Sequence, residues 1–399
     1  MIKSVKLNNF LSFGSSSQEI QLLPLNVIIG TNGCGKSNFL EAFDLLRNAP
    51  SDIRKPIREG GGVLDWLYNG SSNSDAPTAS LVFIISTKQL PLKTKTYDTL
   101  RYELAFTSSG SRFELVEEKL TNEAPEQDLE NALFYFDFHE GALVLNSVSH
   151  KSVANALEID DDNRNRSVFS QVGDVNQHPE ITYLAKTFDR IRLYRAWAFG
   201  RHATYRQPQK LDEPDQYLES DCSNLGLILN KIQHNLPSKK RLLKELQNLY
   251  EDVEDYFINL EGSYAQIFFH ERGLRKPVSA ARLSDGTLRY LSLLAILCNP
   301  NPPPLICIEE PELGLHPDVI PDLAKLMTEA SEKCQLIVTT HSDILVDSFN
   351  ENPEAILIAE KTDGETHLTR LQKDQLAPWL EKYRLGALWT SGDLGGTRW

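Results

Sequence analysis

Gly30-Thr31-Asn32-Gly33-Cys34-Gly35-Lys36-Ser37 fits the pattern G-x-x-x-x-G-K-[ST], and this stretch decides the fold. Before it runs an apolar segment, Leu25 to Ile29, that reads as a buried strand. After it come Phe39, Ala42, Phe43 and Leu46 at i, i+3, i+4 and i+7, which is helix spacing. Strand, glycine loop and helix are the context in which such a loop cradles phosphates. Gly30, Gly33 and Gly35 let the backbone turn tightly, so that the N–H groups of Thr31, Asn32 and Cys34 point inward. The helix N-terminus, with Asn38 in its first turn, adds partial positive charge where a triphosphate would sit. Lys36 would reach the β- and γ-phosphates, and the Ser37 hydroxyl would coordinate Mg²⁺. The stretch therefore predicts a site for a nucleoside triphosphate and magnesium.

At 399 residues the chain is long enough for one complex domain or two smaller ones. Its 41% hydrophobic and 24% charged residues are ordinary for a soluble protein. No apolar run approaches bilayer length, and Met1 to Leu7 alternates like a strand rather than forming a signal core. The expectation is a cytoplasmic protein with no membrane contact. Five cysteines form no C-x-x-C pair, which argues against both a zinc site and a disulfide framework. A net charge of −14 makes the chain a poor general binder of polyanions, so DNA contact would need a local basic surface.

Further outward, residues 2–29 read as two or three strands, and the helix after Ser37 ends near Pro50. From about Ser80 to Ser149 the pattern changes to period two, predicting successive strands and an antiparallel sheet. Asp189 to Lys210 interleaves Arg190, Arg192, Arg195, Arg201, Arg206 and Lys210 with Tyr194, Trp197, Phe199 and Tyr205. Such a mixture suits a nucleic acid groove. The alternative has the aromatics in the core and the arginines paired with the acidic run Asp212 to Asp221. Asn224 to Leu260 reads as helical, interrupted near Pro237 and far too short for a long coiled coil. The expected organisation is a discontinuous core, 1–60 plus 265–399, an antiparallel β subdomain, 61–150, and a helical insertion or lid, 151–264.

The second half supplies what a phosphate loop lacks alone. Leu305-Ile306-Cys307-Ile308 is an apolar strand ending in Glu309 and Glu310. Glu309 would hold the metal's water shell, and Glu310, kept extended by Pro311, would deprotonate the attacking water. His341 follows the next apolar strand, which places it near the γ-phosphate, because ligands of open α/β sheets gather at C-terminal strand ends. Ser284-Asp285-Gly286 opens a helix that is apolar on nearly every face. A serine cap with free helix N–H groups is a second anion site. Two copies arranged head to tail, each giving Ser284 to the other's nucleotide, is the economical arrangement.

This order of motifs resembles the ABC-type ATPase heads of the SMC/RecF/OLD group. The Glu309-to-Pro317 form, E-E-P-E-x-G-L-H-P, is similar to bacterial RecF-like and OLD-like AAA ATPases, including those of anti-phage defence. The resemblance covers 1–50 and 275–345 with specific motifs and the middle only loosely. It implies an α/β P-loop NTPase of ABC/SMC-head type, with ATP-dependent dimerisation reset by hydrolysis and Gly314 to Asp318 crossing the dimer interface. Its catalytic residues would be Lys36, Glu310 and His341, with Ser37 and Glu309 on the metal. Two departures stand out: Asp285 puts a carboxylate beside a phosphate site, and the Q-loop glutamine has only Gln171 and Gln177 as candidates. No nuclease-type acidic cluster follows, so the resemblance also allows a sensor or scaffold for a separate effector nuclease or toxin, with Gly392 to Trp399 either a docking tail or a segment folded on the chain's own core. A RecF-like DNA repair ATPase is the third reading.

Overall fold

In a computed structural model of the chain, the described residues are 1–15, 17–70, 77–88, 90, 98–123, 134–139, 141–146, 155–158, 164–197 and 200–396. The N-terminal part runs β1 (Ile2–Asn8), β2 (Ile20–Gln21), β3 (Leu25–Ile29), α1 (Lys36–Asn48), α2 (Arg54–Glu59) and α3 (Val63–Trp66). Six strands follow: β4 (Ala79–Ser86), β5 (Thr99–Ser109), β6 (Arg112–Asn122), β7 (Phe134–His139), β8 (Ala142–Leu145) and β9 (Asn155–Glu158). The middle holds α4 (Pro179–Asp189), β10 (Arg192–Tyr194), β11 (Gln209–Lys210), α5 (Leu225–Gln233) and α6 (Leu236–Leu249). It ends with β12 (Val253–Glu261), β13 (Tyr264–Glu271) and β14 (Val278–Ser279). The last third is α7 (Asp285–Leu297), β15 (Leu305–Glu309), α8 (Ile320–Ser331), β16 (Gln335–Thr339) and α9 (Asp343–Asp347). Then come β17 (Ile356–Thr362), β18 (Glu365–Arg370), α10 (Lys373–Leu380) and α11 (Leu385–Thr390).

The central layer is a six-stranded sheet ordered β10-β15-β16-β3-β17-β18. Its first five strands are parallel and only β17–β18 is antiparallel. Every residue of β3 and β16 is buried, the continuous apolar pattern of a sheet covered on both faces. Alternate residues divide between two cores. Val27, Ile29, Ile306, Ile308 and Val338 face α7, α8 and the 253–271 hairpin. Ile28, Leu305, Cys307 and Ile337 face α1, α4 and the second large sheet. That sheet has eight strands in the order β2-β1-β4-β5-β6-β7-β8-β9, all antiparallel.

The expected α/β class with an antiparallel subdomain is what the structure has, but two boundaries differ. β1 and β2 pair into the eight-stranded sheet, β1 beside β4, so this sheet draws on residues outside 61–150. Alternation in Ile2 to Leu7 marks a strand and carries no information about its partner. The region 151–264 is not a helical insertion alone: β10 lies in the central sheet, and β12 occupies residues expected to be helical. Val253 and Tyr256 match helix spacing because a bulge between Val253 and Asp255 turns residues three apart to the same face. As far as it is described, the C-terminal segment follows the second of its two readings and lies on the chain's own core. Gly396 donates its N–H to Glu360 at 2.8 Å and lies against Ile358 and Gly30. Phe199, Arg398, Trp399 and most of the polar loop 159–165 fall outside the described residues.

All five cysteines are buried and free. No helix among the described residues is long and apolar enough to cross a membrane.

Candidate functional site

The phosphate loop leaves the C-terminal end of β3 and enters α1 at Lys36. Gly30 and Gly35 adopt positive φ values of 151° and 102°. A Cβ on Gly30 would meet the Ala359 carbonyl at 2.3 Å, and one on Gly35 the Thr366 hydroxyl at 2.2 Å, so neither position accepts a side chain. The loop is braced from outside by a small polar cluster. Thr366 donates to the Cys34 carbonyl at 2.9 Å, and Ser12 contacts both Thr366 and Asn38 at 2.7 and 2.8 Å. Lys36 spans the loop, its Nζ donating to the Gly30 and Thr31 carbonyls, each at 3.0 Å, with the Cys34 sulfur at 3.9 Å. Burial holds its pKa below the ordinary lysine value, against the pull of Cys34, Glu310 and Glu309. Asn32, Gly33 and Ser37 are exposed, which leaves the cradle open to solvent.

The acid pair and the histidine converge on this loop because β15 and β16 lie beside β3. The Ser37 hydroxyl donates to the Glu309 carboxylate, so the two residues expected at the metal touch. Two hard oxygens side by side fit a magnesium ion that keeps several waters and substrate oxygens as its other ligands. Among the described residues no group of three or more His, Cys, Asp and Glu could form an all-protein metal cage. The carboxylate of Glu310 lies 3.7 Å from His341 Nε2. Burial, then the Lys36 charge, pushes the His341 pKa down, which favours the neutral imidazole. Glu312 fixes the strand end behind them, accepting from the Thr340 hydroxyl at 2.7 Å and the His341 N–H at 2.9 Å.

Glu310 departs from expectation in its backbone. Extended geometry before Pro311 is replaced by φ 46°, in the left-handed region. The turn is held at both ends: the Glu310 N–H donates to the Thr339 carbonyl at 3.0 Å, and Arg289 donates to the Glu310 carbonyl.

Ser284, Asp285 and Gly286 stand apart from this group. Ser284 is exposed and caps α7, its Oγ accepting from the Thr287 N–H at 3.0 Å. Gly286 packs against the Gly314 carbonyl, where a Cβ would come to 2.9 Å. Asp285 is committed within the chain. Arg206 pairs with it at 2.7 Å, and the Gly200 N–H reaches both its oxygens at 3.1 Å. The Arg206 hydrogen bond holds its pKa down. The carboxylate is therefore neutralised locally rather than set free against a phosphate.

The basic and aromatic stretch serves the interior more than a surface. Tyr194 and Tyr205 are buried, Arg195 pairs with Glu41 at 2.7 Å, and Arg192 stacks on Tyr217 at 4.8 Å. Arg190 bonds the Tyr217 hydroxyl at 2.7 Å. The partners are Glu41, Asp285 and Tyr217 rather than the acids of the run Asp212 to Asp221, and among the described basic residues of the stretch Arg190, Arg201 and Lys210 are exposed. Gln171 donates to the Arg166 carbonyl, in the segment under the eight-stranded sheet. The loop leaving β10 toward the site instead presents Trp197, whose Nε1 donates to the Glu309 carbonyl at 3.0 Å. No sequence motif marks the backbone contacts that Trp197 and Arg289 make with the acid pair. A single arginine in an otherwise apolar helix was the available signal.

A family model described as "AAA domain, putative AbiEii toxin, Type IV TA system" matches residues 25–347. A Helicobacter pylori (strain ATCC 700392 / 26695) protein named ATP/GTP phosphatase is 23% identical over 368 residues, covering 88% of each chain. Among solved structures, an SMC head bound to the C-winged helix domain of ScpA superimposes with a TM-score of 0.57 at 15% identity. It covers 94% of this chain and 99% of that one. An SMC head domain with an extended coiled coil, bound to the C-terminal domain of ScpA and derived from Pyrococcus furiosus, gives 0.55 at 15% identity, covering 96% and 98%.

Proposed function

The chain belongs to the family described as AAA domain, putative AbiEii toxin, Type IV TA system, and from that premise we propose that this P-loop ATPase hydrolyses ATP between two copies of itself. The observation that carries the reading is a division of labour on one polypeptide. Ser37, Glu309, Glu310 and His341 gather at the C-terminal ends of adjacent strands, while the serine-led start of α7 is exposed and bonded elsewhere. Head-to-tail pairing brings the second set to the first.

Lys36 and the loop amides bind the phosphates; Ser37 and Glu309 would hold the magnesium, which when bound neutralises charge on the phosphate oxygens. Glu310 accepts a proton from the attacking water as its oxygen bonds to the γ-phosphorus and the bond to the β-phosphate oxygen breaks. Neutral His341 lies beside Glu310, ready to orient the same water or the γ-phosphate. The partner's Ser284 and the N-terminus of its α7 contribute hydrogen-bond donors.

A toxin–antitoxin family description supports a place in bacterial anti-phage defence, where the dimer's cycle would control an effector nuclease or toxin. Neighbours of the same fold are heads seen with a bound protein domain, which fits a head that grips a partner. A DNA-directed role, through Arg201 and Lys210 of the 190–210 region, rests on less, since Arg195 and Arg206 are already paired.

The test is light scattering with and without ATP. Glu310→Gln should double in mass on ATP and turn over slowly, whereas Lys36→Ala should stay monomeric. Normal turnover by Glu310→Gln would refute the assignment.

A further inference from the structure

Helix α7 buries ten of its thirteen residues, and one of them is a cation. Arg289 is 2% exposed, and burial pushes its pKa down to about 10. A leucine would fill this place without desolvating a guanidinium, so packing alone does not account for an arginine here. Its contacts do. Nη2 donates to the Glu310 carbonyl, and the guanidinium lies over the Trp197 ring, 4.4 Å from its centroid. Trp197 in turn donates from Nε1 to the Glu309 carbonyl at 3.0 Å. Two stacked side chains from outside the strand thus hold consecutive carbonyls of the acid pair.

We propose that Arg289 and Trp197 are positioning residues that transmit the placement of the α7 N-terminus to the Glu309–Glu310 backbone, and so set the aim of Glu310. The inference rests on the reading above, in which Glu310 activates water and Ser284 serves the partner's nucleotide. Glu310 sits in a left-handed turn at φ 46°, a conformation that persists only where surroundings enforce it. Rotating the peptide plane on either side of that turn swings the carboxylate, and the two carbonyls are what define those planes. The other end of the linkage is equally tied. Arg289 lies five residues beyond Ser284, about 7.5 Å along the axis of a rigid helix. Asp285, at the first turn of α7, is bonded to Gly200 and Arg206, both in the segment that follows Trp197. Gly286 abuts the Gly314 carbonyl in the loop after Glu310. The start of α7, the Trp197 loop and the acid pair therefore form one mechanically continuous unit. A shift of α7 on meeting the partner's nucleotide reaches the general base through two hydrogen bonds.

The experiment is steady-state ATPase kinetics with nucleotide affinity and thermal midpoints measured on the same preparations. Arg289→Gln should lower kcat by about 10²-fold, the size of a misaligned catalytic group, with KM and nucleotide Kd changed by less than about twofold. Arg289→Lys, which keeps a cationic donor, should recover about tenfold of that loss. Trp197→Phe keeps a ring beneath the guanidinium and loses only the N–H donor; it should cost about tenfold in kcat and provides a readable variant if Arg289→Gln fails to fold. Combined with Ser284→Ala, Arg289→Gln should cost no more than the worse single change, because both act through one linkage. Wild-type kcat in Arg289→Gln and Trp197→Phe, or losses that add fully to that of Ser284→Ala, would overturn the proposal. Glu310→Gln serves as the reference. If it is inactive while the Arg289 and Trp197 variants are normal, only the linkage falls; if it is active, the catalytic assignment itself falls.

Discussion

The two large sheets bury their side chains by different rules. In the six-stranded sheet, β3, β15 and β16 are almost continuously buried, both faces are covered, and polar chemistry appears only where the strands stop. In the eight-stranded sheet β4 is covered nearly throughout, but β5 alternates, and its inward residues Leu100, Tyr102, Leu104 and Phe106 are buried. Its interior is aromatic, with Tyr102, Phe136 and Phe188 each in ring contact with Phe169. The difference teaches where function can reside. A parallel sheet lines up its C-terminal ends, so loops from β3, β15 and β16 meet at one edge. An antiparallel sheet sends successive loops to opposite edges and collects no such site, which leaves it the part of a platform.

That contrast is broken or sharpened by separating stability from turnover. The largest effect should come from the aromatic cluster. Phe169 touches three rings at 5.1 to 5.5 Å, so Phe169→Ala should cost about 3–5 kcal/mol of stability. Denaturant midpoints read the loss, while kcat measured well below the melting temperature should stay within about twofold. A large fall in kcat of the folded variant would show that the platform takes part in catalysis. Lys36→Ala should do the reverse. It should lower turnover by about 10²–10³-fold, the scale of removing a charge-stabilising donor, and move stability by less than about 1 kcal/mol. A drop in melting temperature comparable with that of Phe169→Ala would make the loop a structural keystone instead.

What could be read from the sequence follows the same division. The phosphate loop, Leu25–Ile29, the acid pair and His341 were legible because phosphate chemistry demands fixed residue types at fixed spacing beside buried strands. The partnership of β1 with β4 was not, since alternation specifies a face and leaves the neighbour open. β12 was hidden by a bulge that mimics helical spacing. The Arg195–Glu41 pair joins residues 154 apart, and no local pattern announces a contact of that range. Arg289 was visible as an anomaly, a charge in an apolar helix, but its meaning depended on knowing which carbonyl lay opposite.

The finest test lies inside the platform, at Glu118. This carboxyl accepts from the Tyr102 hydroxyl at 2.8 Å, the Ser167 hydroxyl at 2.6 Å and the Val168 N–H at 2.7 Å, tying the segment around Phe169 to β6. Burial nevertheless raises its pKa to about 7 from the ordinary 4.5, because desolvation outweighs the three donors. Between those values the folded protein holds a proton that the unfolded chain has released. The stabilisation is therefore complete below about pH 4.5 and is lost as pH rises through 7, a span of up to about 3 kcal/mol. Glu118→Gln cannot titrate, so its stability should lack this decline when unfolding free energies are compared at pH 5, 6, 7 and 8. The slope is the readout, since an amide NH₂ facing the Val168 N–H shifts the absolute value at every pH alike. Parallel pH profiles for the two proteins would mean that three donors suffice to keep the carboxylate charged. The platform would then contain a buried anion, and the contrast between a chemically active edge and an inert sheet would lose its sharpest boundary.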